Sequence, residues 1–397
     1  MSFYRNNNKG QHTAMTKKTA LAIFALIAAT TASAVIDVNV IKEGAEKIPV
    51  SIDVKGDPAF AKSLKRNLEL SGIFQVRPGS AAVKVTGAVG SAIRAEGRGK
   101  ALTLPSSAPD AKSARMEARR LSDKMCETYT RQRGFACDPV AFVAKEGRAG
   151  ELYTCYPDGY DIRRLTHDGK EAVGPRWRDS GTLFYTGFLN AGPQIFELNT
   201  KNGTRRLRWS FKGLATGATV SPDGKRAAII LSVHGNPELY VIDMASGGWV
   251  RLTTTKNASE GQPSWSPDGS QIVYVSDETR HPQLYVIDVA TKNKRRLTSK
   301  GTQNLDPDWG PDGRIAYVSR RMEGTAIAVI DPAKGESSSR LVTKPGAWEH
   351  PSWSRDARHV AASRDNALFV VDTEEDGDDP KPMFLNAGRW ITPAWQR

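Results

Sequence analysis

One signature recurs along the C-terminal two thirds of this 397-residue chain and restricts the folds open to it. It reads Pro-Arg-Trp177, Ala-Thr-Val220-Ser-Pro-Asp-Gly, Pro-Ser-Trp265-Ser-Pro-Asp-Gly, Pro-Asp-Trp309-Gly-Pro-Asp-Gly, Pro-Ser-Trp353-Ser-Arg-Asp-Ala and Pro-Ala-Trp395, at intervals of 43, 45, 44, 44 and 42 residues. A second marker runs in phase with it: Leu152-Tyr153, Ile195-Phe196, Leu239-Tyr-Val-Ile-Asp243, Leu284-Tyr-Val-Ile-Asp288, Ile327-Ala-Val-Ile-Asp331 and Leu368-Phe-Val-Val-Asp372. A third follows each of the first five, as Arg164-Leu-Thr, Arg206-Leu-Arg, Arg251-Leu-Thr, Arg296-Leu-Thr and Arg340-Leu-Val-Thr. Three markers in register over six units describe a repeat protein.

Each unit reads as four short strands. The Trp strand ends at Ser-Pro-Asp-Gly, where Pro presets the bend and Asp and Gly suit the later turn positions. An apolar strand such as Ile272-Val-Tyr-Val275 follows, then the Leu-Tyr-Val-Ile-Asp strand, a polar hairpin such as Met244-Ala-Ser-Gly-Gly248, and the Arg-Leu-Thr strand. Four-strand units of this length are β-propeller blades. A helical solenoid would need 3.6-residue periodicity, which these β-branched and aromatic runs lack. Five complete units lie between Trp177 and Trp395; Pro393-Ala-Trp395 is a first strand without followers, and residues 140–166 are followers without a first strand. Joined, they make a sixth blade and pair strands that would otherwise be open edges. The expected fold is an α/β N-terminal domain followed by an all-β six-bladed propeller closed by a C-terminal strand.

Ahead of the repeats, residues 35–139 form the expected α/β domain of about 100 residues, with 140–397 as the propeller. Ile48–Val54, Ile73–Val76 and Val83–Val89 read as strands. Asp57-Pro58 opens a helix through Leu70. A longer helix, about Asp110 to Arg133, turns Ala114, Ala118, Leu121 and Met125 inward. Its cationic face (Lys112, Arg115, Arg119, Lys124) reads as a solvated surface. Residues 1–34 read as an address: Lys17 and Lys18 precede the apolar stretch Ala20–Ala29, and Ala32-Ser-Ala34 supplies a cleavage site. The apolar run is short for a membrane span, so a cleaved signal peptide is expected over an anchor, and with it export.

Lys plus Arg total 56 against 43 Asp plus Glu, a net +13. Without residues 1–34 the excess is +9, of which 35–139 hold +6. In an exported protein that mild excess suits anionic envelope surfaces better than nucleic acid. Three Cys are too few for a disulfide framework, although Cys126 and Cys137 are near enough in sequence to bridge, leaving Cys155 free. Catalytic signals are weak. The chain has no Gly-x-Ser-x-Gly elbow and no Gly-x-x-x-x-Gly-Lys loop. The acidic run Glu374–Asp379 falls at a blade hairpin and lacks the spacing of a calcium loop. No cofactor or metal site is expected.

The repeats, the opening strand–helix–strand with Leu70-Ser-Gly-Ile-Phe74, the leader and the terminal Pro-Ala-Trp together resemble the TolB family, periplasmic propellers of the Tol–Pal system. The resemblance covers nearly all of the chain after residue 34, although the N-terminal domain is shorter than usual and Val220 replaces a repeat aromatic. It implies a non-enzymatic periplasmic adaptor that binds the lipoprotein Pal through one propeller face and supports outer-membrane integrity, cell division and protein import. It implies also that the N-terminal stretch from Val35, Ile36, Asp37 and Val38 to about Glu46 engages TolA, with other outer-membrane or peptidoglycan-associated proteins as further partners. The chain is not read as an integral membrane protein. By loop position, the Pal-facing residues would be Glu260, Gln262, Asn304, Asp306, Glu349 and His350, with Arg280 and His281 on the neighbouring hairpin loops.

The stretch Val35–Ile41 alternates apolar residues and suits an edge strand as well as a detachable partner segment. A rival function is an exported propeller acting on polysaccharide, either lyase-like through a channel metal near His281 and His350 or as a carbohydrate-binding module displaying Trp348 and Trp390.

Overall fold

The computed structural model describes residues 46–189, 192–375, 380–384 and 388–397. The leader, the segment containing Val35, Ile36, Asp37 and Val38, and residues 376–379 of the acidic run lie outside them.

The N-terminal sheet has five strands in the order Phe74–Val76, Ile48–Lys55, Val83–Ala88, Ala92–Gly97, Lys100–Pro105. Ile48–Lys55 pairs parallel with both neighbours, which requires a crossover, and helix α1 (Pro58–Leu70) supplies it. Asp57 caps α1 by accepting from the Ala59 N–H at 2.8 Å, with Pro58 in the first turn, where its missing N–H is harmless. Helix α2 (Ala111–Thr130) is capped by Asp110, which accepts from the Ser113 N–H at 2.7 Å, and it ends where Arg131 turns left-handed. Both helices bury one stripe against the sheet: Phe60, Leu64 and Leu68 from α1, and Ala114, Ala118, Leu121 and Met125 from α2. The hairpin Ala92–Pro105, for which the sequence offered only short, mixed polar runs, completes the sheet.

The propeller has six four-stranded antiparallel blades. Blades 1 to 5 begin at Ala172–Asp179, Ala215–Val220, Glu260–Trp265, Gln303–Trp309 and Trp348–Trp353. In blade 6 the innermost strand is Trp390–Trp395, pairing antiparallel with Val140–Glu146, so the two ends of the repeat region share a sheet. The innermost strands contact one another round the ring and enclose the channel. Repeat tryptophans wedge between blades: Trp265 Nε1 donates to Thr219 O at 3.0 Å and Trp177 Nε1 to Ala394 O at 2.9 Å. The Ser-Pro-Asp-Gly turns close on themselves. Asp268 accepts from Ser266 Oγ at 2.6 Å and from the Ser270 N–H at 3.0 Å, the turn role its pattern predicts.

One reading needs correction, and one that the sequence leaves open is answered. Arg119 is not solvated: its side chain is fully buried where α2 meets blade 6. It grips Asp158 at 2.8 and 3.0 Å and Asp161 at 2.7 Å, and stacks 4.0 Å over the Tyr156 ring. Arg115 also pairs with Asp161, while Ser63 of α1 donates to Asp158 at 2.7 Å. Burial favours the helix because every donor of that guanidinium that faces the blade finds an acceptor. Cys126 and Cys137 do not bridge; all three cysteines are free thiols. Asp123 ties that corner instead, accepting from the N–H groups of Ala136 and Cys137 at 2.8 and 3.0 Å.

Candidate partner-binding face

Each innermost strand enters the channel at one face and leaves at the other. At its third or fourth residue from the start the backbone is left-handed in every blade: Gly174 (φ 58°), Gly217 (69°), Gln262 (54°), Asp306 (49°), His350 (52°) and Thr392 (50°). Pairing with the second strand slips at the same place in all six blades. This is a bulge, and a bulge re-aims the side chain, here toward the channel mouth. For the four non-glycine residues such a backbone stores about 1 kcal/mol or more of strain each. Five of the six precede Pro, which has no N–H to lose to the ladder.

Three of the sequence-nominated residues meet in this ring. The Asp306 N–H donates to Gln262 Oε1 at 2.9 Å, and the Gln262 amide donates back to the Asp306 carboxylate. The His350 N–H donates to the other Asp306 oxygen at 3.1 Å, and the imidazole Nε2 lies 3.9 Å from it. Gln262, Asp306 and His350 thus form one hydrogen-bonded arc across blades 3, 4 and 5. Glu349 stands beside it on the rim, largely exposed, 3.9 Å from His350 Nδ1.

The remaining nominees occupy other settings. Glu260 is buried and accepts from the Thr255 hydroxyl at 3.0 Å and from Ser276 Oγ at 3.2 Å. Burial raises its pKa, and nearby Glu238 adds to the rise. Asn304 is buried as well, donating to Gln283 Oε1 at 2.7 Å and to Lys300 O at 2.8 Å. Both brace the rim from beneath. Arg280 and His281 are exposed at the hairpin between the second and third strands of blade 3, with Arg280 left-handed and its N–H bonded to Asp277 O at 2.7 Å. Trp348 is 1% exposed and displays no face for sugar stacking, while Trp390 is half-buried and packs on Phe384 with ring centroids 4.0 Å apart.

Below the ring lies a second layer that sequence reasoning missed. Ser264 Oγ donates to Asp308 at 3.3 Å, the Trp353 N–H donates to Asp308 at 2.7 Å, and Arg397 pairs with Asp308 at 2.6 Å. Asp308 is buried and fully engaged. The signal for both layers was available: they are the residues on either side of Pro in the recurring x-Pro-x-Trp.

The fold and its mouth define a class, a closed repeat-built propeller with an α/β domain clamped to its sixth blade and a hydrogen-bonded polar arc at the channel. The TolB beta propeller domain family matches residues 126–397, and the chain belongs to that family. Among similar proteins, the Tol-Pal system protein TolB of Anaeromyxobacter dehalogenans is 27% identical over 157 residues, 39% of this chain and 36% of that protein. The Tol-Pal system protein TolB of Desulfosudis oleivorans is 29% identical over 139 residues, 34% of this chain and 31% of that protein. The chain therefore matches about a third of the length of these curated relatives. The crystal structure of TolB from Acinetobacter baumannii superposes with a TM-score of 0.78 at 23% identity, covering 88% of this chain and 97% of that one.

Proposed function

We propose that this chain is a non-enzymatic periplasmic adaptor of the Tol–Pal system, exported on residues 1–34 with cleavage near Ala34. One propeller face, at the ring of Gln262, Asp306 and His350, receives Pal, and the segment beginning Val35-Ile-Asp-Val38 engages TolA. The observation that carries this reading is the ring itself. Four non-glycine residues are held in strained left-handed geometry at one mouth of a rigid scaffold, where binding loops concentrate. In this reading Glu349, His281 and Arg280 make rim contacts, while Glu260 and Asn304 act by holding the loops. The polysaccharide alternative asks for a free metal-ligand cluster in the channel; here Asp306 and Asp308 are taken up by backbone N–H groups, Gln262 and Arg397.

Calorimetric titration of the purified protein with the periplasmic domain of Pal from the same source tests it. Saturable binding that weakens at least tenfold when Gln262, His350 and Glu349 are changed together to Ala is the expected result. Absence of binding by the unaltered protein would remove the adaptor reading.

A further inference from the structure

The channel wall differs from one side to the other. Blades 3, 4 and 5 present the bonded arc of Gln262, Asp306 and His350, whereas blades 1 and 2 present Gly174 and Gly217 at the same position. A Cβ added at Gly174 would meet no atom within 4 Å, whereas one at Gly217 would press on Pro263 Cδ at 3.3 Å. The space beside Gly174 is an open well. Arg176 occupies the second-layer position beneath Gly174, in the register held by Ser264, Asp308 and Ser352 in their blades. It is half-buried and, among the described residues, makes no hydrogen bond or ion pair. Its counterpart layer contrasts sharply, since Asp308 opposite already has Arg397. Flanking the well on the blade 6 side is Thr392, whose Oγ1 is buried without a hydrogen-bond partner, and next to it His350, whose Nδ1 also makes none.

The buried Thr392 hydroxyl carries an unmet desolvation cost, and the half-buried Arg176 guanidinium offers a fork of donors that no described protein group takes up. We infer that this well is a carboxylate-binding subsite, with Arg176 as its fork and Thr392 as a second donor. Its use by a protein partner rests on the partner-face reading above. A carboxylate matches the planar guanidinium with two parallel hydrogen bonds. A cation is disfavoured by the Arg176 charge. A dianion such as phosphate is disfavoured by the Asp306 carboxylate across the mouth. The group can come from two sources, an acidic side chain of a protein seated on the face or a free small carboxylate.

Glutarate serves as the free probe and the periplasmic domain of Pal as the protein probe. Glutarate is titrated into the purified protein with arginine side-chain N–H resonances followed by NMR, and Pal binding is measured by calorimetry. Arg176→Gln removes the fork, Thr392→Val removes the hydroxyl at constant shape, and Gly174→Asn fills the well with a residue that tolerates left-handed backbone. A saturable glutarate shift of one arginine resonance, lost in Arg176→Gln and Gly174→Asn, identifies a subsite open to free carboxylates. Pal affinity falling at least tenfold in those variants, and about threefold in Thr392→Val, identifies a partner side chain as the source. If glutarate binds and Pal does not, the well stands and the adaptor reading fails. If no saturable glutarate shift occurs and Pal affinity is unchanged in all three variants, or Pal does not bind, the subsite is overturned; retained Pal binding then leaves the adaptor reading intact.

Discussion

His359 lies wholly buried, with Nδ1 2.6 Å from Asp356 and Nε2 3.6 Å from Asp372, and with the Phe135 ring centroid 4.5 Å away. Burial alone would lower the imidazole pKa, but the two carboxylates outweigh it and hold it at about 9. Because the folded value lies above the unfolded one, the charged histidine contributes its full stability below about pH 6.5 and loses it as pH rises through about 9. The urea midpoint of the unaltered protein is therefore expected to fall between pH 7 and pH 10. His359→Gln should be destabilised by roughly 3 kcal/mol at pH 7 and show a flatter profile over that interval. An unchanged slope in the variant would show that another group titrates. Asp356 lies only three residues from His359, but that it meets the imidazole, and that Asp372 arrives opposite it on the paired strand, shows only in the fold. Arg119 was illegible for the same reason: its acceptor Asp158 lies 39 residues away in another domain.

At the scale of strands, the Arg-Leu-Thr marker has a mechanical meaning that its recurrence alone does not disclose. The threonine hydroxyl accepts from a third-strand N–H of its own blade, at 2.9 Å for Thr166 with Leu152, 2.9 Å for Thr253 with Leu239 and 3.0 Å for Thr298 with Leu284. It donates in turn to the residue beginning that strand segment: Thr253 to Glu238 at 2.5 Å and Thr298 to Gln283 at 2.8 Å, with Thr166 bonded to Glu151. Short outer strands such as Trp249–Arg251 are thereby fastened by side chains where the ladder is only three residues long. Thr253→Val should leave Glu238 and the Leu239 N–H short of a partner and cost about 1–3 kcal/mol, whereas Thr253→Ser should be nearly neutral; denaturant titration of both checks this. The blades were legible because period and turn chemistry agree at every unit. The place of the channel ring was legible from x-Pro-x-Trp, but its left-handed bulge was not, because Gln, Asp, His and Thr have no shared propensity for that geometry, and only closure of six blades makes it common to all.

At the scale of the whole molecule, two joints hold the chain together. One is the sixth blade. Trp395 is buried among Phe135, Val140 and Phe142, so removing residues 390–397 deletes a core tryptophan and opens the Val140–Glu146 edge. The loss should be at least about 3–5 kcal/mol, lowering the thermal midpoint by roughly 10 °C and exposing a strand prone to self-association, as calorimetry and light scattering would report. The other joint is Arg119. Arg119→Met strands the buried Asp158 and should cost about 3–5 kcal/mol, with part recovered by adding Asp158→Asn. Faster proteolysis between residues 130 and 140 in the single variant would mark the joint as the site of weakening, and equal resistance would count against it.

The sequence by itself determined the architecture: a 44-residue period, turn-forming Ser-Pro-Asp-Gly and split terminal strands leave a closed six-bladed ring as the arrangement that pairs every innermost strand. Helix α1, its cap and its stop were equally readable, because capping and apolar spacing act within a few residues. What only the tertiary structure decided is where charge sits. Arg119 is buried, whereas Arg176 is half-buried with no bonded partner among the described residues. Asp306 holds an arc together, and Glu260 lies beneath the rim it was expected to display. Each of those outcomes depends on which groups the fold brings, or fails to bring, beside the charge, and its energy is set by that company more than by sequence neighbours.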